Sequence, residues 1–554
     1  MLVLLEDEEE VDWGNDPDWV RFVLVCKECE EDGIYLELAK KGILCHSAAL
    51  KSDVRRFTEH LLRKGKAKYI YATNTLAQGV NLGVSTVIVV GTYIRPDTYL
   101  TNRDFWNMAG RAGRSFVDTE GKILFVCDCK DKETERKRIW VANQYLNSDS
   151  IDKVESGVYL WLRKLKEMQE KLDLDFDYLL QLIAENNLND LGDAPYFFEM
   201  IDDSLLTLDL SYREDDSDDA GWVEDHFRKS LAVIQEEQEE ERQKNIAILK
   251  ARVHAVRRMT QGKPMPQAFA SSGIPLSVAL YFEEHADRLN SLADEYLQSD
   301  RGIEDKINYF NRFDQLVDEI PTSRIMKFEL GELDQIREQW VKGDSLGYKQ
   351  MAIAEKYYGY TFTWFMNALA ARNALLEEDF YKDFYEEMSL IAQYGLPSKW
   401  AVQIYLCGIS SRRVAAELAS KLDEPNDTSR LSVVARYIIN LNNEIQASGS
   451  ITELAKEWVK TLLIRPAVTT ATIPTIPRFV INGTNEDMKY DRLLCKMYEG
   501  KAQLCSVDMK YHFPPKEKEN MPFSEVADIP GVFFSRDGEN WTMECHNPYV
   551  AIEI

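Results

Sequence analysis

Arg111 and Arg114 sit three residues apart in "NMAGRAGRSF" (107–116). Arginine keeps its charge and presents a planar fork of donors, so a pair at this spacing reaches one phosphate group from two sides. Gly110, Ala112 and Gly113 leave the backbone between them bare, which lets another surface come near. Upstream, "YATNTLAQGVNLGVSTVIVV" (71–90) offers the Thr73 and Thr75 hydroxyls at the carboxyl end of an apolar run. That edge is where open α/β sheets bind ligands. Gly79 permits close backbone approach to a phosphate or ribose. A third segment, "KGILCHSAALKSDVRRFTEHLLRKG" (41–65), carries His46 and precedes both.

Elements must hold these residues in place. "FVLVC" (22–26), "AKYIYAT" (67–73), "STVIVVGTYI" (85–94) and "GKILFVCD" (121–128) read as strands. They are nearly continuous in apolar residues, as in strands buried on both faces. Helical stretches such as 53–65 lie between them, so residues 19–135 are expected to form an α/β domain with a mostly parallel sheet. Residues 1–18 hold eight acids and no base, and read as an acidic leader. From 136 the pattern becomes helical, with amphipathic runs at 158–172 and 177–187. The stretch 201–225, with ten acids and one Arg, reads as a linker. Residues 226–259 form one long helix or two, and helices continue to 465. Prolines then punctuate short strand-like runs, so 466–554 reads as a small mixed C-terminal module.

The bulk numbers set bounds. At roughly 100–200 residues per domain, 554 residues make several domains, each able to bury a core. Apolar residues are 45% and charged residues 29%, an ordinary globular composition. No apolar run approaches the ~18 residues that span a bilayer. Nine cysteines at this length do not make a disulfide framework and fit a reducing, cytoplasmic setting. Net charge is −27, which excludes a binder of nucleic acid over its whole surface. Residues 35–115 nonetheless hold thirteen Lys/Arg against five Asp/Glu, a local balance of +8. Such a segment is either an anion site or a solvated basic face.

The three chemical segments resemble motifs IV/IVa, V and VI of superfamily-two helicases, in the Ski-like branch. "GILCHSAAL" is similar to the family's "GIxxHHAGL", "TNTLAQGVN" to "TSTLAxGVN", and "NMAGRAGR" to "QMxGRAGR". They occur in the family's order, over about a fifth of the chain. The resemblance implies a second RecA-like domain at 19–135, a helical or winged-helix-like segment at 136–200, and a ratchet-like helical region at 226–465. It implies that Arg111 and Arg114 are arginine fingers that stabilise charge on a leaving phosphoryl group. Gly79, Asn81, Asn107 and Gly110 would lie by the nucleotide, which would be ATP with Mg²⁺. Thr73, Thr75 and His46 would contact a nucleic-acid strand. Three positions depart from the pattern: Asn107 replaces Gln, Ser47 replaces the second His, and Gly83 stands where proline is common.

The family also needs GxxxxGK[ST] to cradle phosphates and a DExH acid to hold Mg²⁺. None of the pairs Gly65-Lys66, Gly121-Lys122, Gly262-Lys263 and Gly500-Lys501 is followed by Ser or Thr. "VLLEDEEE" (3–10) mimics an acid motif but lies too close to motif V. The chain therefore reads as the C-terminal portion of a helicase that lacks its first RecA-like domain, as a fragment, a split gene product or a degenerate relative, and the expected partner is a polypeptide carrying that domain. DNA is preferred to RNA, with DNA repair or phage defence as the setting. A non-catalytic nucleic-acid or protein interaction module derived from a helicase is the competing reading. In the helical region, "GISSRR" (408–413) weakly resembles a strand-binding turn, which would give Arg412 and Arg413 to phosphates. A capped helix turn is the alternative. Cys26-x-x-Cys29 and Cys127-x-Cys129 lack the further ligands of a zinc set, so no metal is expected.

Overall fold

Asp16 caps a helix where an apolar run reads as a strand. Its side chain accepts a hydrogen bond from the Asp18 backbone N–H at 2.9 Å, and Pro17 opens α1 (Pro17–Glu28) with its φ already set for a helix. Phe22, Val25 and Cys26 then share one buried face. Helical spacing of the apolar residues, with a cap before them, outweighs the β-branched character of "FVLVC". The computed structural model describes residues 9–464 outside 15, 30–32, 48–49, 74–83, 96–97, 114–119, 128–130, 148–154, 189–190, 192–193, 213–219, 264–267, 269, 271, 323 and 429. Beyond 464 it describes the backbone of 471–473, 492–498, 501–506, 512–513, 532–537 and 540–545. The chain divides into two units: Met1–Ala142 with Glu457–Ile554, and Asn143–Lys456.

In the first unit α1 is followed by α2 (Ile34–Lys40), β1 (Ile43–His46), α3 (Ser52–Arg63) and β2 (Tyr69–Ala72). Next come β3 (Thr86–Val89), the short pair β4 (Tyr93–Arg95) and β5 (Thr98–Tyr99), α4 (Asn102–Ala109), β6 (Lys122–Phe125) and α5 (Lys132–Leu146). β1 and β2 pair in parallel from Ile43↔Tyr69 to His46↔Ala72, with α3 as the crossover. β3 and β6 pair in parallel from Thr86↔Lys122 to Val89↔Phe125, with α4 in the connection. The expected parallel α/β pattern is present, as two two-stranded ladders.

The described part of the acidic leader is docked rather than loose. Trp13 is buried and donates Nε1–H to the Ala39 carbonyl at 3.0 Å. The Val11 N–H meets the Lys40 carbonyl at 2.7 Å. Lys66 and Lys68 donate to the carbonyls of Asp12 and Glu9, each at 3.1 Å. The lysines of the basic segment supply the partners that an all-acidic stretch lacks.

The second unit is helical. Its first part holds α6 (Gly157–Lys171), α7 (Phe176–Glu185), α8 (Ala194–Tyr212), α9 (Gly221–Phe227), α10 (Leu231–Ile234) and α11 (Glu239–Thr260). The stretch expected as an acidic linker is therefore helical over 201–212 and again from 221, and 226–259 is broken into pieces. Burial of the acids explains the difference. Arg252 of α11 grips Asp202 of α8 through Nε at 2.6 Å and a second nitrogen at 2.5 Å. Arg257 reaches Asp209 at 2.6 Å. Acids of a stretch that reads as a linker face buried arginines of α11.

The second part runs through α12 (Leu276–Glu284), α13 (Ala286–Gln298), α14 (Ile303–Glu319), α15 (Leu330–Lys342) and α16 (Tyr348–Lys356). A π-helical turn (Tyr357–Phe362) leads into α17 (Thr363–Leu375) and α18 (Asp379–Tyr394). α19 (Lys399–Leu406), α20 (Arg412–Lys421), α21 (Leu431–Asn440), α22 (Asn442–Ala447) and α23 (Glu453–Leu463) follow. The core is rich in aromatic rings, with Phe310 stacked on Phe362 at 4.4 Å. Inside it Asp314 accepts from Arg337 Nε (2.8 Å), Tyr358 Oη (2.8 Å) and Tyr357 Oη (3.1 Å). The wider π turn lets two consecutive tyrosines reach one carboxylate.

Residues 457–463 of α23 belong to the first unit. Trp458, Val459 and Thr461 are buried there. Trp458 packs against Phe57 of α3 at 6.5 Å, and Arg21 of α1 donates to Thr461 Oγ1 at 3.5 Å. The C-terminal strands β7 (Ala471–Ile473), β8 (Arg492–Tyr498), β9 (Lys501–Ser506), β10 (His512–Phe513), β11 (Val532–Asp537) and β12 (Asn540–Cys545) form one antiparallel sheet, in the order β10-β9-β8-β11-β12-β7. Among the described residues no helix is long and apolar enough to cross a membrane. No group of three or more His, Cys, Asp or Glu among them is placed to hold a metal.

Candidate nucleotide and nucleic-acid site

Thr73 extends the β1·β2 ladder by one residue. Its N–H donates to the His46 carbonyl at 3.1 Å, and the residue is exposed beyond the carboxyl ends of both strands. The threonine thus lies on the edge where sequence reasoning put it. The His46 ring has a different duty from the one expected. It is buried, with Nε2 2.8 Å from Glu59 Oε1 on α3. A ring turned into the body to meet Glu59 is not presented to a strand, and His46 acts on Thr73 through its carbonyl.

The arginine segment begins with α4. Thr101 caps it, accepting from the Asp104 N–H at 3.1 Å and donating its hydroxyl to Asp104 Oδ2 at 2.8 Å. Phe105 and Ala109 are buried, while Asn107 and Gly110 are exposed at the end of the helix. Trp106 meets Phe105 edge-on at 5.7 Å, as a packing residue of this helix. The chain then turns tightly: the Arg111 N–H meets the Met108 carbonyl at 3.1 Å and the Ala112 N–H the Ala109 carbonyl at 2.9 Å. Arg111 is half-buried on this turn.

Two anchors fix the turn. The Val84 N–H donates to the Arg111 carbonyl at 3.1 Å, and the Gly113 N–H donates to the Val84 carbonyl at 2.6 Å, so Val84 and Ala112 form a parallel bridge. The chain leaving the threonine segment is thereby tied to the chain carrying the arginines. The second anchor is a backbone crossing. Gly113 has φ +90°, and a Cβ there would lie 3.2 Å from Gly121 Cα. A Cβ on Gly121 would lie 2.3 Å from the Ala112 carbonyl oxygen. The small residues around the arginines thus admit the domain's own chain. Sequence reasoning tested Gly121 only as part of a phosphate loop, and no local signal marks such a crossing.

Thr75, Gly79, Asn81 and Arg114 lie outside the described residues, as does Cys129. In the second unit the "GISSRR" turn separates its two arginines. Arg412 donates to the Gly395 carbonyl (2.9 Å) and the Trp340 carbonyl (2.8 Å), with its guanidinium 4.0 Å over the Trp340 ring. It holds helices together and is not turned toward a phosphate. Arg413 is exposed. Ser411 caps α20 by accepting from the Val414 N–H at 3.3 Å.

Part of the basic charge of residues 35–115 is paired with close acids of α1. Lys64 pairs with Asp16 (3.1 Å) and Asp18 (2.9 Å), and His60 lies 3.4 Å from Asp18. Burial alone would raise the Asp18 carboxyl. Hydrogen bonds from His60 and Lys64, together with the Lys64 charge, bring it down to about 2.

Comparison with known proteins bears on this geometry. Residues 12–116 match the helicase conserved C-terminal domain. Over 98% of its length the chain is 33% identical to the Hachiman protein HamB of Bacillus cereus, and it spans half of that relative. A shorter segment, 17% of the chain, is 38% identical to the ATP-dependent DNA helicase Hel308 of Pyrobaculum calidifontis, covering 14% of it. Another, 25% of the chain, is 28% identical to Helicase POLQ-like of Homo sapiens, covering 12% of it.

Proposed function

For a chain that carries the C-terminal domain of a superfamily-two helicase, we propose the role of the C-terminal part of an ATP-dependent nucleic-acid translocase. The reading rests on the bridge between Val84 and Ala112, which ties the threonine and arginine segments into one structure. A change at the arginine turn is then felt along the strand that follows the threonines, as coupling of ATP hydrolysis to strand movement requires. The proposed cofactor is ATP with Mg²⁺, completed by a polypeptide bearing the first RecA-like domain. The half-exposed Arg111, with Asn107 and Gly110 exposed beside it, fits a phosphate-facing turn. Bound ATP would supply the phosphoryl transfer. Arg111 and Arg114 would neutralise the charge that develops, an effect worth about 10³–10⁵ in rate for such fingers. Thr73 and Thr75 would bind the strand backbone, and the two parallel ladders would be parts of one RecA-like sheet. DNA is the proposed strand, and repair or phage defence the setting.

The test is ATP turnover by the 554-residue chain with and without single-stranded DNA, alone and with a polypeptide carrying GxxxxGK[ST] and DExH motifs. DNA-stimulated turnover that needs the second polypeptide and is lost in Arg111→Ala and Arg114→Ala supports the reading. Turnover that ignores both substitutions sinks the finger assignment. No turnover in the assembled pair favours a non-catalytic interaction module.

A further inference from the structure

Of the described tryptophan side chains only that of Trp140 is exposed, at 64%. Trp13, Trp161, Trp222, Trp340, Trp364 and Trp400 each donate Nε1–H to a carbonyl or carboxylate of the chain. The Trp140 ring has no hydrogen bond and no ring contact among the described residues. It stands on α5, which Asp131 starts by accepting from the Thr134 N–H at 2.7 Å and hydroxyl at 2.8 Å. Ala142 and Tyr145 bury the inner face of this helix.

The outer face is set by helical spacing. Lys132, Arg136 and Trp140 follow one another at four-residue steps, so they stack along one side, and all three are exposed. Glu133 is taken by Lys137 at 3.0 Å. Lys132 and Arg136 make no ion pair among the described residues. The helix thus shows two unneutralised cations in line with a bare indole, on a chain of net charge −27. The chain reaches α5 from the carboxyl end of β6, with Phe125 the last residue of the strand and Lys132 the first of the helix. That end of a parallel strand is the one that faces ligands.

We propose that this face of α5 is a contact for single-stranded nucleic acid, with the Trp140 ring stacked on a base and Lys132 and Arg136 on the phosphates beside it. A positive stripe with an open aromatic ring is the combination that binds single strands without regard to sequence. A protein partner fits the face less well, since lysine is depleted where interface rings are buried. The inference rests on the translocase reading and gives its strand a contact outside the threonine and arginine segments.

The experiment measures binding of the 554-residue chain to fluorescein-labelled oligothymidylate and to an abasic strand of equal length, by anisotropy over a salt series. Trp140→Ala should weaken oligothymidylate binding about 5- to 100-fold and leave the abasic strand unchanged, because only the base stacks. Trp140→Phe, which keeps a ring, should restore most of the loss. Arg136→Gln should weaken both strands alike and lower the slope of log affinity on log salt by about 0.7. Equal loss on both strands in Trp140→Ala overturns the stacking. Unchanged oligothymidylate affinity overturns the platform and leaves the translocase reading standing, also where Trp140→Ala instead releases a polypeptide carrying GxxxxGK[ST] and DExH motifs. Binding of neither strand, with or without that polypeptide, overturns both.

Discussion

Gly113 and Gly121 meet backbone to backbone, with room for a side chain on neither. A Cβ on Gly121 would lie 2.3 Å from the Ala112 carbonyl oxygen, and Gly113 holds φ +90°. Gly121→Ala should therefore displace the arginine turn from Val84. We expect a loss of about 1–3 kcal/mol, read as a lower urea midpoint of the first unit. Gly65→Ala, at φ +68° with open space around its Cβ position, should cost less. Equal costs at the two sites would count against the crossing as an anchor.

Arg412 and Arg413 should separate cleanly. Arg412→Ala removes two hydrogen bonds to carbonyls and a contact over Trp340, and should cost about 2–4 kcal/mol in the second unit. Binding of single-stranded DNA per folded molecule should stay unchanged. Arg413→Ala should leave the melting temperature within about 1 °C. A weakening of DNA binding by Arg412→Ala at full stability would return that residue to the interface.

Asp18 should shape the acid limb of stability. Its folded carboxyl lies near 2, below the ordinary value of 3.8, so its contribution is present above that ordinary value. It is lost as pH falls from about 4 through 2. Because the cluster is partly open to water, the contribution is of the order of 1 kcal/mol. Asp18→Asn should flatten the difference in melting temperature between pH 5 and pH 2.5. An unchanged acid limb would mean that Lys64 and His60 find other partners.

Asp314→Asn should be costly. It leaves the Arg337 guanidinium buried beside a neutral amide, at about 3–5 kcal/mol by analogy with other broken buried pairs. Replacing Asp314 and Arg337 together by Leu and Met should cost less than the single change. A double-mutant cycle in urea measures the difference.

Trp458→Ala should destabilise the first unit by about 3–5 kcal/mol, since the ring is buried against Phe57. Fragments that stop at residue 456 should show the same loss. The readout is the exchange protection of α1 and α3. Full protection in such a fragment would show that the α23 segment is dispensable.

The sequence was most legible where a local rule acts alone. The helices at 158–172 and 177–187 match α6 and α7 because apolar periodicity and caps agree there. The strands at 67–73 and 121–128 contain β2 and β6, and the exposed Thr73 falls at its expected edge. Reading failed where a distant partner decides. "FVLVC" is helical because Asp16 and Pro17 start the turn before the β-branched residues are reached. The stretch that holds Asp202 and Asp209 reads as a linker until Arg252 and Arg257 face them from α11. The resemblance puts His46 against a nucleic-acid strand, whereas in the structure Glu59 holds its ring. No spacing rule announces that Gly121 lies under Gly113, because that contact depends on where two chain segments cross.

Trp458 has a consequence for the order of events on the ribosome. The first unit needs residues from both sides of 143–456, so emergence of α1–α5 does not complete it. The second unit is continuous in sequence and is fully synthesised before Trp458 emerges. Domains fold as units while synthesis proceeds. The part of the first unit that is made before the second unit is therefore covered after it, and Phe57 waits through the synthesis of an entire unit for the ring that seals it. In that interval the nascent α1–α3 surface lacks its α23 cover, and slow translation of the central region would prolong its exposure.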